Sequence, residues 1–270
     1  MLNDKLELTY SKIRVVTKCQ KSNNSYKSLN IGITMKINIE PSIMYFGTPV
    51  VLISTLNKDG TTNIAPISSA WWLGWSCMIG LDATSKSTEN LKRNGQCILN
   101  LASGDLADKV NNLALLTGSK EIPVHKKLLG YKHSKDKFID SGFTPKREAS
   151  ESINRIDECK IQLSAIVENM NEFAKNDTRM AIPTYAIELQ ITQVNASPDI
   201  LLSDNENRID PNKWNPLIMN FRKLYSLSSE LNESRLAIKS EDLYAPWKRK
   251  GAVRFLTNRI LKFSNKKYGH

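Results

Sequence analysis

Three segments hold residue types that could do chemistry together. In the first, Asn63, Ser68, Ser69 and Ala70 interrupt a strand-like stretch just before Trp71 and Trp72. Small side chains let backbone N–H and C=O groups approach a flat ligand. Asn63 and the hydroxyls can hydrogen-bond the polar edge of a heterocycle, and an indole can cover an apolar ring. The same composition fits an irregular barrel edge with core tryptophans, and composition alone does not separate the two. In the second segment, Thr84, Ser85, Lys86, Ser87 and Thr88 follow the apolar run that ends at Asp82, and Asn90 comes shortly after. Four hydroxyls and a lysine at the start of a helix make a phosphate cradle, because the free N–H groups and the helix dipole favour an anion there. Capping alone would need one hydroxyl, from Ser85 or Ser87. The third segment, Gly130 to Phe138 with His133 and Lys137, reads from its residues as a solvated, lysine-rich loop.

Other chemistries lack their residues. The chain has no GxGxxG after a strand, no GxxxxGK[ST] and no GxSxG. His125, His133 and His270 stand apart with no HExxH spacing, which argues against a catalytic zinc. No nucleophile and base can be assembled for hydrolysis. No metal ligand or catalytic acid–base residue is therefore assigned.

The elements that must position these residues are short strands. Residues 49–56 are β-branched and apolar, and Asn57-Lys58-Asp59-Gly60 supplies a tight turn into a second strand from Thr61 to Ala65. Ser76 to Asp82 and Gln96 to Leu101 read as further strands. Between them, Lys86 to Arg93 reads as a helix that Asn94-Gly95 ends. Leu106, Val110, Leu113 and Leu116 have helical spacing over 105–116. Residues 118–150 are expected to be mostly loop with short helices. Residues 160–167 and 185–194 alternate apolar and polar, as half-exposed strands do. Strands joined by hairpins, with few helices between, favour an antiparallel barrel over a doubly wound sheet.

The 270 residues carry a formal net charge of +11. Eight positive charges and no acidic residue follow Asp242, so the basic excess belongs to an extension and argues for no specific nucleic acid partner. Residues 1–34 read as a weakly structured extension, 35–240 as the main domain and 241–270 as a basic tail. Within the tail, Val253, Phe255, Leu256, Ile260, Leu261 and Phe263 could line an amphipathic helix. It would dock on the body or a second subunit, or, on a sharper reading, on an anionic membrane. No stretch approaches a membrane span and the N-terminus lacks an apolar signal region, so the expected location is the cytoplasm. Cys19, Cys77, Cys97 and Cys159 are far apart and read as isolated buried thiols.

Together these segments resemble the flavin reductase-like family, from about Pro41 to Arg235. The resemblance is carried by Gly47-Thr48-Pro49-Val50 with its Lys-Asp-Gly turn, by Asn63 to Trp71, and by Thr88-x-Asn90. It is also carried by Gly130-Tyr131…Asp136-Lys137-Phe138…Gly142-x-Thr144-Pro145, with Phe143 where leucine is usual. The stretch Ile156 to Leu163 adds to it, with Lys160 where proline is common. The resemblance implies a mainly β, antiparallel Greek-key split barrel with peripheral helices that binds FMN, or FAD in some members. It implies that Asn63, Ser69 and Trp71 sit against the isoalloxazine, that Ser85, Lys86 and Thr88 hold the phosphate and ribityl chain, and that Lys137, with His133, belongs to the flavin site. It further implies an NAD(P)H-dependent flavin oxidoreductase acting as a homodimer, with free flavin, oxygen or a partner protein accepting electrons. An electron carrier without nicotinamide turnover, and a binding module attached through its tail, are the alternatives.

Overall fold

A computed structural model describes residues 36–149 and 151–232. The expected leader over 1–34, Cys19, and the basic tail over 241–270 with its amphipathic helix lie outside the described residues. Seven strands form one antiparallel sheet: β1 (Val51–Leu56), β2 (Thr62–Ile67), β3 (Ala70–Leu73), β4 (Ser76–Asp82), β5 (Gln96–Leu101), β6 (Ile161–Phe173) and β7 (Thr184–Ala196). Their spatial order is β2-β1-β5-β6-β7-β4-β3.

That order explains the barrel. Strands β2 and β3 lie at opposite edges of the sheet, yet Ser68 and Ser69 alone separate them in the chain. The sheet must curl until its edges approach. At the seam the Gly80 N–H donates to the Ser69 carbonyl at 2.8 Å. A Cβ on Gly80 would stand 3.0 Å from the Ser69 Cβ, so a residue without a side chain suits this approach.

The first hairpin follows its turn chemistry. The Gly60 N–H closes on the Asn57 carbonyl at 3.1 Å, and the Asp59 carboxylate accepts from the Thr61 N–H and hydroxyl at 3.1 and 2.6 Å. Both faces of β1 are buried. Val51 and Ile53 join the core with Ile79, Leu99, Leu163, Ile187 and Leu189. Leu52 joins a second cluster with Ile64, Val110, Leu113 and Phe138. A strand covered on both faces reads as an unbroken apolar run, and this one does.

The helices lie outside the sheet. Helix α1 (Lys86–Asn94) is capped by Ser85 and ended by Gly95 in the left-handed region. Helix α2 (Ala107–Ala114) follows a 3₁₀ turn and buries Val110 and Leu113. It stops short of the expected Leu116, which instead pairs in a short parallel bridge with Lys132. Helices α3 (Val124–Leu128) and α4 (Lys137–Ser141) interrupt the loop region.

Two strands outrun their expected ends. Beyond Val167, β6 continues through the mostly exposed residues 168–173 paired with β7, after register shifts at Ser164/Ala165 and Val167/Asn169. Bulges and two solvent-facing sides erase the alternation that marks the earlier part. The expected strand over 49–56 is two elements. Phe46–Pro49 pairs instead with Ile218–Asn220, which pairs with Lys223–Tyr225, making a small separate sheet. Leu217 is buried in its own chain, whereas Phe221, Tyr225 and Leu231 are exposed. Cys77, Cys97 and Cys159 are buried free thiols. Among the described residues no helix is long and apolar enough to cross a membrane.

Candidate functional site

A cleft of about 380 Å³ opens at the barrel seam. One wall is β2 and the seam itself, with Asn63, Pro66, Ser68 and Ser69. The facing wall is the end of β4 and the start of α1, with Gly80, Asp82, Ser85, Lys86 and Ser87. Val110 and Asn111 of α2, then Lys126, Tyr131 and Lys137, close one side, and Tyr45, Met219 and Leu224 of the small-sheet region close another. A second, outer cleft of about 1110 Å³ shares Asn63, Lys86 and Lys137 with the first.

The three segments singled out in the sequence thus meet. Asn63, Ser68, Ser69, Ser85, Lys86 and Lys137 line the inner cleft, and Thr84 and His133 line the outer one. Five others lie away from both linings. Ala70 is in the barrel core. Trp71 is 58 % exposed on edge strand β3, paired with Met78, and Trp72 packs against the core. The Thr88 hydroxyl donates to the Asp82 carbonyl at 2.8 Å, and its N–H donates to the Ser85 hydroxyl oxygen at 3.1 Å. The Asn90 amide donates to Thr55 Oγ1 at 3.1 Å and Asn57 Oδ1 at 2.9 Å, which ties α1 to the first hairpin. Ser85 therefore does both things its position allowed: it caps α1 and it lines the cleft.

Lys137 is 5 % exposed, and its Nζ donates to the Ile64 carbonyl at 2.9 Å. Among the described residues it makes no ion pair. Burial, and then the charge of Lys126, lowers its pKa to about 7. Asn63 is 3 % exposed. Its Nδ2 donates to Ser87 Oγ at 3.2 Å, while its Oδ1 has no hydrogen-bond partner. Gly118 makes room for that oxygen, because a Cβ there would lie 2.6 Å from Oδ1 and 3.1 Å from Lys86 Cγ. At the first turn of α1 the N–H groups of Lys86 and Ser87 have no intrahelical acceptor.

Sequence reasoning missed Asp82, Lys126, Tyr131 and Gly118. Asp82 Oδ2 lies 3.0 Å from Lys126 Nζ and 3.2 Å from His125 Nε2, while its Oδ1 accepts from the Thr84 N–H and hydroxyl at 2.7 and 2.8 Å. Burial pushes the Asp82 carboxyl up, but the Thr84 and Lys126 bonds outweigh it and leave the pKa below its ordinary value. Burial, with the Asp82 charge, raises the Tyr131 phenol. The clue to Asp82 was its place at the strand end. Lys126 and Gly118 carried no local signal. Among the described residues no group of three or more His, Cys, Asp or Glu could hold a metal ion.

The fold is that of the flavin reductase-like split barrels. The flavoredoxin of Desulfovibrio vulgaris (Miyazaki F) superposes with a TM-score of 0.60 at 18 % identity, over 75 % of this chain and 99 % of that one. A putative flavin reductase with a split barrel domain from Shewanella frigidimarina NCIMB 400 gives 0.53 at 16 % identity, over 70 % of this chain and 86 % of that one. No family model matches the sequence. The Bacillus subtilis (strain 168) Uncharacterized protein YdfE is 39 % identical over 196 residues, which span 73 % of this chain and 91 % of that protein. The chain belongs to the family of YdfE.

Proposed function

We propose that the protein is an FMN-binding flavoprotein, an oxidoreductase that takes hydride from NADH or NADPH. The observation that carries this reading is the meeting, in one cleft, of a buried amide acceptor, a buried ammonium and a helix N-terminus. Each suits one part of a flavin. Asn63 Oδ1, orphaned and buried, would accept from an N–H on the ring's polar edge; an unsatisfied buried acceptor is otherwise costly. Lys137 would face a carbonyl or a ring nitrogen that gains negative charge. The free N–H groups at the start of α1, with Ser85 and Lys86, would hold the phosphate.

Bound flavin would supply two-electron chemistry by accepting hydride at N5. The chain's own task is then positional and electrostatic. Ser68 and Ser69 leave the seam open for a planar ring. Lys137, held on the Ile64 carbonyl, would be protonated beside an anion and neutral without one at slightly alkaline pH, because its pKa lies near 7. Asp82 fixes Lys126 at the cleft wall by an ion pair at 3.0 Å. Hydride transfer itself needs no side chain to move a proton.

The same reading carries a homodimer, with Trp71 and Leu73 of edge strand β3 as exposed apolar contacts. The test is visible absorbance of freshly purified protein, titration with FMN, and anaerobic mixing with each nicotinamide. Flavin bands that bleach on mixing support the proposal. A colourless protein that takes up no added FMN rejects it. Bound flavin that neither nicotinamide bleaches would make the protein an electron carrier instead.

A further inference from the structure

We infer that the outer cleft binds the ribose–phosphate end of the hydride donor and selects the 2′-phosphorylated nicotinamide, NADPH, with Lys58, Lys120 and Lys135 meeting the extra phosphate. This rests on reading the inner cleft as the flavin site. The outer cleft shares Asn63, Lys86 and Lys137 with the inner one, so a molecule lying in it reaches the inner cleft. Its lining is hydroxyls, amides and charged groups. No aliphatic or aromatic side chain takes part apart from the imidazole of His133. Such a surface suits sugar hydroxyls and phosphates.

The charge is unevenly spent. Lys86 is paired with Glu89 at 2.7 Å, and the Asp59 carboxylate is engaged by Thr61. Asp59, still an anion in those bonds, and Glu121 are the other acids of the lining, against five lysines. Lys58, Lys120 and Lys135 make no ion pair among the described residues, and they come from three separate stretches: the first hairpin turn, the loop after Thr117 and the loop before α4. Three unpaired ammonium groups facing one concavity raise the local concentration of a polyanion. A second observation points the same way. Ser134 in this wall is 4 % exposed and its buried hydroxyl has no hydrogen-bond partner, which a phosphate oxygen or sugar hydroxyl would satisfy. NADH has two phosphate charges in its pyrophosphate. The 2′-phosphate adds up to about two more, and lysine ammonium groups bind such point charges well.

The test is calorimetric titration of the whole protein, with and without FMN, using 2′,5′-ADP and 5′-AMP as the two donor halves. We expect 2′,5′-ADP to bind about tenfold tighter or more, and the preference to vanish in Lys58→Ala/Lys120→Ala/Lys135→Ala. These side chains are exposed, so the melting temperature of the variant checks that it folds. Equal binding of the two probes, or a preference that survives the triple substitution, overturns the inference. FAD binding more tightly than FMN by a margin that the variant abolishes also overturns it, since the cleft would then serve the flavin's own adenylate. If no FMN is taken up but the 2′,5′-ADP preference is present and lost in the variant, the flavin reading falls and the phosphate selection stands.

Discussion

Lys137 Nζ donates to the Ile64 carbonyl at 2.9 Å, which pins α4 to the strand forming one wall of the cleft. The unfolded chain holds that proton up to the ordinary lysine value of 10.5, whereas burial and Lys126 bring the folded value to about 7. Between those two values the unfolded state binds more protons, so stability rises with pH across that window, and below about 7 the full cost is present. Lys137→Met removes the cost. In urea unfolding without ligand the variant should gain roughly 1–4 kcal/mol at pH 6, and the gain should shrink towards pH 10. FMN affinity should fall at the same time. A variant less stable at both pH values would show that Lys137 is not held against its charge.

Gly118→Ala should weaken FMN binding by about tenfold or more while costing little stability. Its new Cβ would meet Asn63 Oδ1 at 2.6 Å and Lys86 Cγ at 3.1 Å, two groups shared by both clefts. Fluorescence titration with FMN, beside a melting curve, separates loss of the site from loss of the fold. Unchanged affinity would mean the amide can turn aside without consequence.

Buried thiols offer a check on the barrel itself. Burial pushes Cys77 up to about 12 and raises Cys97 and Cys159 as well. The thiolate is the reactive form, so all three should resist iodoacetamide at pH 8 and label once denaturant is added. Peptide mapping by mass spectrometry reads this residue by residue. Rapid native labelling at Cys97, which lies in β5 between β1 and β6, would contradict the packing described.

Much of the fold was legible because its signals are local. Asp59-Gly60 announces the first hairpin, Gly95 ends α1, and the unbroken run from Val51 marks a strand covered on both faces. The split of residues 49–56 into two elements was not legible, since Pro49 pairs with Ile218 from a distant part of the chain. The cleft was half legible. Hydroxyls at a helix start and small residues at a seam are sequence features, and four of those residues, Ser68, Ser69, Ser85 and Ser87, converge. Thr88 and Asn90 share the composition of the anion cradle but spend their polar groups on Asp82, Thr55 and Asn57. Trp71 follows the seam by two residues and, on an edge strand, alternation turns it outward. Lys126 and Gly118 owe their places to tertiary packing that no nearby pattern announces.

Asn90→Ala tests that division of labour. Its amide holds α1 to the first hairpin through Thr55 and Asn57, so its loss should destabilise the protein by about 1–3 kcal/mol and leave flavin affinity little changed. Denaturant unfolding and an FMN titration below the melting range measure the two quantities independently. A large loss of affinity with unchanged stability would return Asn90 to the binding site.

Ser87→Ala probes the opposite case, a buried hydroxyl whose effect should fall on the ligand. Ser87 Oγ accepts from Asn63 Nδ2 at 3.2 Å, and this bond sets the amide so that Oδ1 is the unpartnered atom. Without it, Thr55 Oγ1 at 3.5 Å is the amide's one remaining acceptor, at the limit of a useful bond. The amide is then free to turn and present its donor where a flavin N–H needs an acceptor. FMN affinity should drop by about tenfold, and the absorbance of any bound flavin should shift as the polar edge loses its partner. Ser87→Thr keeps an acceptor oxygen at the same place and should restore most of the affinity. If the alanine variant binds FMN as the parent does, with the same spectrum, Asn63 does not contact the ring.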